Sequence, residues 1–362
     1  MDARNRRLAG LLRADGLDAV LLTKRANQRY LEGFTGGDCY LLAAGCANFL
    51  IADSRYAEMA QKECRTATVL PHRFPHPPLG GVLAGVARSQ GWRRIGFEGE
   101  HIRWGLHEEL VTALAEVNVA FVPISPAVEQ LRALKDADEI AATQDACRIA
   151  DAALQELVPS MRPGVSELDM KIELDYRMKR AGAEDVSFDT MVLFGARASQ
   201  PHATPQRDAI LREGDFVLVD YGAAVRGYRS DTTRTFVCGE PSEEQRRAYD
   251  AVLRAQAACL EMVRPGANGR EMNARAAEII EAAGFPPFEH GIGHGVGLEI
   301  HEPPFLRHKA DTVLEPGMVV TVEPGTYIPG WGGIRIEDTV LVTEDGRRIL
   351  TRFPKALTVL PA

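Results

Sequence analysis

Hydrophobic and polar positions alternate in short runs through the first third of the chain. Residues 4–14 predict an amphipathic helix ending before Gly16, and Asp18–Thr23 (Asp-Ala-Val-Leu-Leu-Thr) predicts a buried strand. Further strands are expected at Tyr40–Leu42 and Asn48–Ile51, joined through Gly45, and at Arg94–Phe97 and Val117–Val122. Helices are expected at Ser54–Lys62, in the eighties, and at Trp104–Glu116. This alternation predicts a compact α/β domain. Pro123 and Pro126 interrupt it, which places a domain boundary near residue 126 and gives domains 1–126 and 127–362. From Val128 to Leu157 the pattern is helical, with a turn or kink at Lys135-Asp136-Ala137-Asp138-Glu139.

The second domain repeats itself. Met161-Arg162-Pro163-Gly164 opens a helix that closes near Gly182, and Val263-Arg264-Pro265-Gly266 opens another that closes near Gly284. Leu211, Gly214, Val217, Val219, Asp220 and Gly222 return as Leu314, Gly317, Val320, Val322, Glu323 and Gly325. Each half therefore predicts a helix, a strand and a carboxylate-bearing hairpin. In Phe216–Phe236 two β-rich runs flank a glycine-containing bend. Pairing symmetric about the bond between Val225 and Arg226 sets Asp220 opposite Asp231. In the second half, pairing about Gly330 sets Glu323 opposite Glu337. Opposed side chains in antiparallel strands lie about 5 Å apart, and like charges so placed repel. One such pair fits a solvated sheet face, whereas two in duplicated halves point to a four-carboxylate site around bound cations.

Composition narrows the partners. The 362 residues are 25% charged and 45% hydrophobic, an ordinary globular balance, with a net charge of -8. No basic field exists to hold nucleic acid or an anionic membrane. Six widely spaced cysteines contain no Cys-x-x-Cys pair, the pattern of reduced thiols in a cytoplasmic protein. No apolar segment follows Met-Asp-Ala-Arg-Asn-Arg-Arg, and nowhere do about 18 apolar residues run together, so neither an export signal nor a membrane span is expected.

Between the two hairpins lies Phe288–Pro303, with His290, His294 and His301 set among glycines; a fourth candidate, His202, stands in Ser199–Pro205. The glycines miss the Gly-x-Gly-x-x-Gly spacing of a dinucleotide site, and His301-Glu302 is followed by Pro303 and Pro304 rather than by a zincin helix. The glycines permit close backbone approach to something held between the histidines. Four carboxylates with an imidazole form an oxygen-rich donor set suited to Mn(II), Co(II) or Zn(II). One cation would leave excess negative charge, so two divalent ions about 3.5–4 Å apart are expected, and with them hydrolytic chemistry.

With these residues in place, the chain resembles the creatinase, prolidase and methionine-aminopeptidase superfamily of pita-bread metallopeptidases, and within it the Xaa-Pro dipeptidase (prolidase) and aminopeptidase P branch. Asn27–Gly36 and Asp53-Ser54-Arg55-Tyr56 are similar to that branch's N-terminal domain, and residues from about 126 onward to its catalytic domain. The resemblance implies an α+β chain, in which a smaller α/β creatinase-type domain precedes a pita-bread domain with internal pseudo-two-fold duplication. It implies that Asp220, Asp231, His294, Glu323 and Glu337 are the five ligands of two metals, with Asp231 and Glu337 bridging. His202 and His301 match the family's substrate-binding and proton-handling histidines, His290 a histidine lining the pocket, and Arg335 a supporting arginine; the resemblance thus implies His202, His301, Glu323 and Arg335 as catalytic residues and His202, His290, His301 and Arg335 as substrate-binding ones. The segment ahead of His202 carries Arg197 and Gln200.

The activity so implied is hydrolysis of the peptide bond preceding proline by a hydroxide bridging the two ions, with Glu323 as general base and His301 stabilising the oxyanion. A homodimer acting on small peptides with proline second is expected on the same ground. The alternatives are an aminopeptidase P acting on longer peptides and, from another class, a non-catalytic pita-bread binding module. For length selection the expectation is that the Gly33–Asp38 loop or Arg55 meets the substrate carboxylate.

Overall fold

The computed structural model describes residues 3–362. They divide into two compact units, one ending at Arg132 and the other spanning Ala133–Ala362. Among the described residues no helix is long and apolar enough to cross a membrane.

The first unit is built on a six-stranded mixed sheet. Its spatial order is Thr68–His72, Asn48–Asp53, Cys39–Ala43, Ala19–Leu22, Arg94–Glu98 and Ala120–Ile124. The fully buried run Ala19–Leu22 takes the centre, antiparallel to Cys39–Ala43 and parallel to Arg94–Glu98. The edge strand Thr68–His72 was not foreseen: it is half-exposed and contains Pro71, so it lacks the apolar run that marks a central strand. The helix expected from Ser54 starts instead as a tight turn over Ser54–Tyr56 and becomes α-helical at Ala57–Glu63. The Asp53 carboxylate fixes that turn by accepting the Arg55 amide at 3.0 Å. It also binds the Arg55 and Arg73 guanidinium groups at 2.8 and 2.9 Å, so Arg55 is already engaged within its own unit.

In the second unit the expected kink at Lys135–Glu139 is a helix start. Asp136 and Glu139 cap one another reciprocally ahead of helix Ala137–Leu157. The duplication is explicit in the backbone. Met191–Phe194, Phe216–Tyr221 and Thr232–Cys238 lie side by side in a four-stranded sheet, as Gly293–Gly295, Val319–Val322 and Asp338–Thr343 do in a five-stranded one. Helices Glu167–Arg180 and Gly269–Ala282 start at Ser166 and Asn268, whose side chains cap them and whose backbones bridge to Ile210 and Val313. Gly182 and Gly284 then turn the chain with φ of 104° and 86°.

The two hairpins differ in how they meet expectation. The second holds the predicted register throughout: Gly325 pairs with Arg335 on one side of the acids and Val322 with Asp338 on the other, which leaves Glu323 opposite Glu337. The first is corrected. Val225 pairs with Tyr228, so the turn is Arg226-Gly227, and Asp220 faces Thr233 rather than Asp231. Both turn residues have positive φ, 50° and 80°, which matches the twist of a two-residue hairpin and favours the glycine one step later than symmetry suggested. Moving a turn by one residue moves each partner by two. Because side chains alternate with period two, Asp231 becomes a diagonal neighbour of Asp220 on the same face.

The turn geometry is testable. Gly227→Ala is expected to destabilise the second unit by about 1 kcal/mol through left-handed backbone strain, whereas Arg226→Asn should be neutral or stabilising. Urea unfolding of both variants beside the parent checks this.

Candidate metal centre

The hairpin strands converge on one cavity of about 620 Å³, and it is lined by all nine residues singled out in the sequence: Asp220, Asp231, Glu323, Glu337 and Arg335 at its floor, and His202, His290, His294 and His301 around it. Ligand atoms of Asp231, His294 and Glu337 lie within 4.8 Å of one another. His294 Nε2 stands 3.5 Å from Asp231 Oδ2 and 3.3 Å from Glu323 Oε1. Its Nδ1 lies 3.1 Å from the Gly295 carbonyl, a contact that holds a proton on Nδ1 and turns Nε2 toward the carboxylates.

The glycines beside His294 serve backbone packing. A Cβ on Gly293 would stand 2.0 Å from the Thr321 carbonyl oxygen, and one on Gly295 would stand 2.4 Å from that of Pro303. The close approach is thus to neighbouring strands, and it is what carries the imidazole over the acids.

A frame of hydrogen bonds holds the floor. The Arg335 guanidinium donates to Asp220 Oδ2 at 2.5 Å, to the Thr233 hydroxyl at 2.8 Å and to the Tyr327 hydroxyl at 2.9 Å. The Thr233 hydroxyl in turn donates to Glu337 Oε2 at 2.6 Å. Thr321 repeats this device in the other half, accepting the His294 amide at 3.0 Å and donating to Glu323 Oε1 at 3.1 Å. Tyr327 donates onward to His290 Nε2 at 3.0 Å, while His290 Nδ1 donates to the Gly291 carbonyl at 2.8 Å. Burial pushes the His290 pKa down, in keeping with a neutral ring held in one tautomer.

Sequence reasoning missed Thr233, Thr321 and Tyr327. A signal existed for the threonines: each lies two residues from an acid, Thr233 after Asp231 and Thr321 before Glu323, and period-two alternation puts such neighbours on one face.

Does this pocket fit cations? Glu337 and the adjacent Asp338 are both buried and give the answer by contrast. Asp338 is fully compensated, accepting from Arg234, Thr351, Gln256 and Lys355 at 2.6–2.8 Å. Burial raises its pKa, but Arg234 and Lys355 outweigh that and hold it below the ordinary value. Among the described residues no donor reaches Glu337 Oε1 or Asp220 Oδ1, although both atoms are buried. Burial, reinforced by Glu323 and Asp220, pushes the Glu337 carboxyl well up; burial, reinforced by Glu337, Asp220 and Glu323, does the same to Asp231. Asp220 is raised by burial despite Arg335. Only Glu323 is lowered, because His294, His290 and Arg335 outweigh its burial. A largely buried carboxylate cluster with orphan oxygens and an imidazole nitrogen is the donor set of a hard or borderline divalent cation.

His202 and His301 differ from the floor in being exposed at the mouth. The His301 ring meets that of His294 edge-on, with centroids 4.4 Å apart. Burial of part of the ring, then His294, lowers the His301 pKa.

Comparison with known proteins places this geometry. Residues 141–344 match the model of metallopeptidase family M24, and residues 4–134 that of the creatinase/prolidase N-terminal domain. The chain is 36% identical to a Xaa-Pro dipeptidase of Pyrococcus furiosus, over 99% of this chain and 100% of that one. A solved Xaa-Pro dipeptidase from Bacillus anthracis superposes with a TM-score of 0.94 at 38% identity, covering 99% of both chains. An X-Pro aminopeptidase from Thermotoga maritima superposes with a TM-score of 0.90 at 34% identity, covering 98% of this chain and 99% of that one.

Thr233 provides the test of the frame. Thr233→Val keeps the volume but removes the hydroxyl between Arg335 and Glu337, and is expected to weaken divalent-metal binding about 10- to 100-fold. Titration calorimetry with Mn(II) on the folded variant checks this.

Proposed function

We propose, from the premise that the chain belongs to metallopeptidase family M24, that it is an Xaa-Pro dipeptidase hydrolysing the peptide bond that precedes proline. The observation that carries this reading is the convergence of three buried carboxylates, the half-buried Glu323 and His294 on one cavity. In the proposal, Asp220, Asp231, His294, Glu323 and Glu337 hold two divalent ions, for which Mn(II), Co(II) or Zn(II) suits the donors. When bound, the ions supply Lewis-acid polarisation of a carbonyl and acidification of water.

The remaining roles belong to the chain itself. Glu323, oriented by the Thr321 hydroxyl, accepts the proton of the attacking water. His301 and His202, exposed where a peptide enters, hydrogen-bond the substrate, and His301 donates to the oxygen that becomes negative in the transition state. His290 is a fixed wall: both its ring nitrogens are already used, by Gly291 and Tyr327. Arg335 touches no substrate atom in this scheme. It orients Asp220 directly and Glu337 through Thr233.

Selectivity for proline comes from the relatives, since nothing in the donor set demands it. The Thermotoga maritima relative supports a second reading, removal of the first residue from longer Xaa-Pro peptides. A non-catalytic binding module is disfavoured because all five ligand candidates line the one cavity.

Two outcomes are expected. Exhaustive chelation should abolish peptide hydrolysis and Mn(II) should restore it, while Glu337→Gln, which keeps shape but loses charge, should lower kcat about 100-fold or more. Full activity after chelation would sink the mechanism. In a substrate series, Xaa-Pro dipeptides should be cleaved well ahead of Xaa-Ala dipeptides and Xaa-Pro tripeptides. Efficient release of the first residue from longer peptides would establish the aminopeptidase reading instead, and equal rates on Xaa-Ala would remove the proline assignment.

A further inference from the structure

His202 faces the substrate cavity, yet among the described residues no hydrogen bond holds its ring. Its position must come from the backbone that carries it, residues 195–206. That segment is closed at its base by one buried carboxylate. Glu167, the first residue of helix Glu167–Arg180, accepts the Phe194 amide at 2.8 Å where the loop leaves its strand and the Gln206 amide at 3.0 Å where the loop returns. Its side chain is fully buried, and the charge is met by Arg197, whose Nε lies 3.0 Å from both oxygens. The same guanidinium reaches across the loop, Nη2 donating to the Thr204 carbonyl at 2.8 Å. Two short turns, Gln200 amide to Arg197 carbonyl and Ala203 amide to Gln200 carbonyl, fill the interior. The loop also sits on the Arg335 strand: a Cβ on Gly333 would stand 2.1 Å from the Ala198 carbonyl oxygen.

We propose that Arg197 is a positioning residue for His202, latching the loop by bonding Glu167 with one nitrogen and the Thr204 carbonyl with another. The planar guanidinium donates in two fixed directions, one toward each partner, which a lysine ammonium cannot reproduce at both ends. Removing it leaves a buried carboxylate without its cation and frees the span that bears His202. The inference rests on the reading of His202 as a substrate-contacting residue.

The test is a double-mutant cycle of Arg197→Ala and His202→Ala in the full-length, Mn(II)-loaded enzyme acting on an Ala-Pro dipeptide, with hydrogen exchange of residues 200–206 followed in parallel. Arg197→Ala should speed exchange at Ala203 and Gln206 about tenfold or more and lower kcat/KM about tenfold, while adding less than about a twofold loss once His202 is already alanine. Arg197→Lys should recover only part of the loss; if the alanine variant does not fold, the lysine variant carries the same cycle. Losses that multiply in the double variant, or exchange that is unchanged, overturn the latch while His202 keeps its role. Full activity of His202→Ala overturns the reading of His202 and the latch with it.

Discussion

Four carboxylates share one largely buried cavity floor, and among the described residues Arg335 is the one guanidinium bonded to them. This imbalance governs the rest of the catalytic unit. Arg335 neutralises Asp220 directly and reaches Glu337 only through the Thr233 hydroxyl. Burial, reinforced by the remaining like charge, drives the Asp231 and Glu337 carboxyls upward. The neighbouring Asp338 shows that this chain can satisfy a buried acid completely when the acid is structural. The shortfall one residue away is therefore a property of the site, and in the proposed mechanism divalent ions make it up.

Holding repelling groups in place requires stiff supports, and the duplicated halves provide equivalent ones. Each contributes a buried strand ending in an acid, a hairpin returning with a second acid, and a threonine hydroxyl bonded to a carboxylate. Strands suit this task because their period-two alternation aims every second side chain at the same face. The nitrogen donor arrives differently, on a short strand whose flanking glycines let its backbone press against its neighbours. Around this rigid floor the exposed histidines ride on connecting segments.

Much of this was legible in the sequence, because repetition is legible. The recurrence of Asp220 at Glu323, with matching glycines and valines, announced two equivalent hairpins and hence an acid-lined site. All nine candidate residues line the cavity so indicated. The second hairpin's register followed from its symmetry. The first did not, because a turn settles where backbone dihedrals are cheapest, at Arg226-Gly227, and not at the midpoint of a pattern.

The sequence by itself determined which residues carry charge, which alternate onto a common face, and that one half echoes the other; all of these are set by local order along the chain. Only the tertiary structure decided which acids remain without donors, that the Thr233 hydroxyl bonds Glu337 across the two halves, and that Glu167 and Arg197 close the loop beneath His202. Those facts depend on partners far apart in the chain, and a hydrogen bond between distant residues leaves no periodicity to read. Local pattern fixes the inventory of a site, while the balance of its charges is settled only where the strands meet.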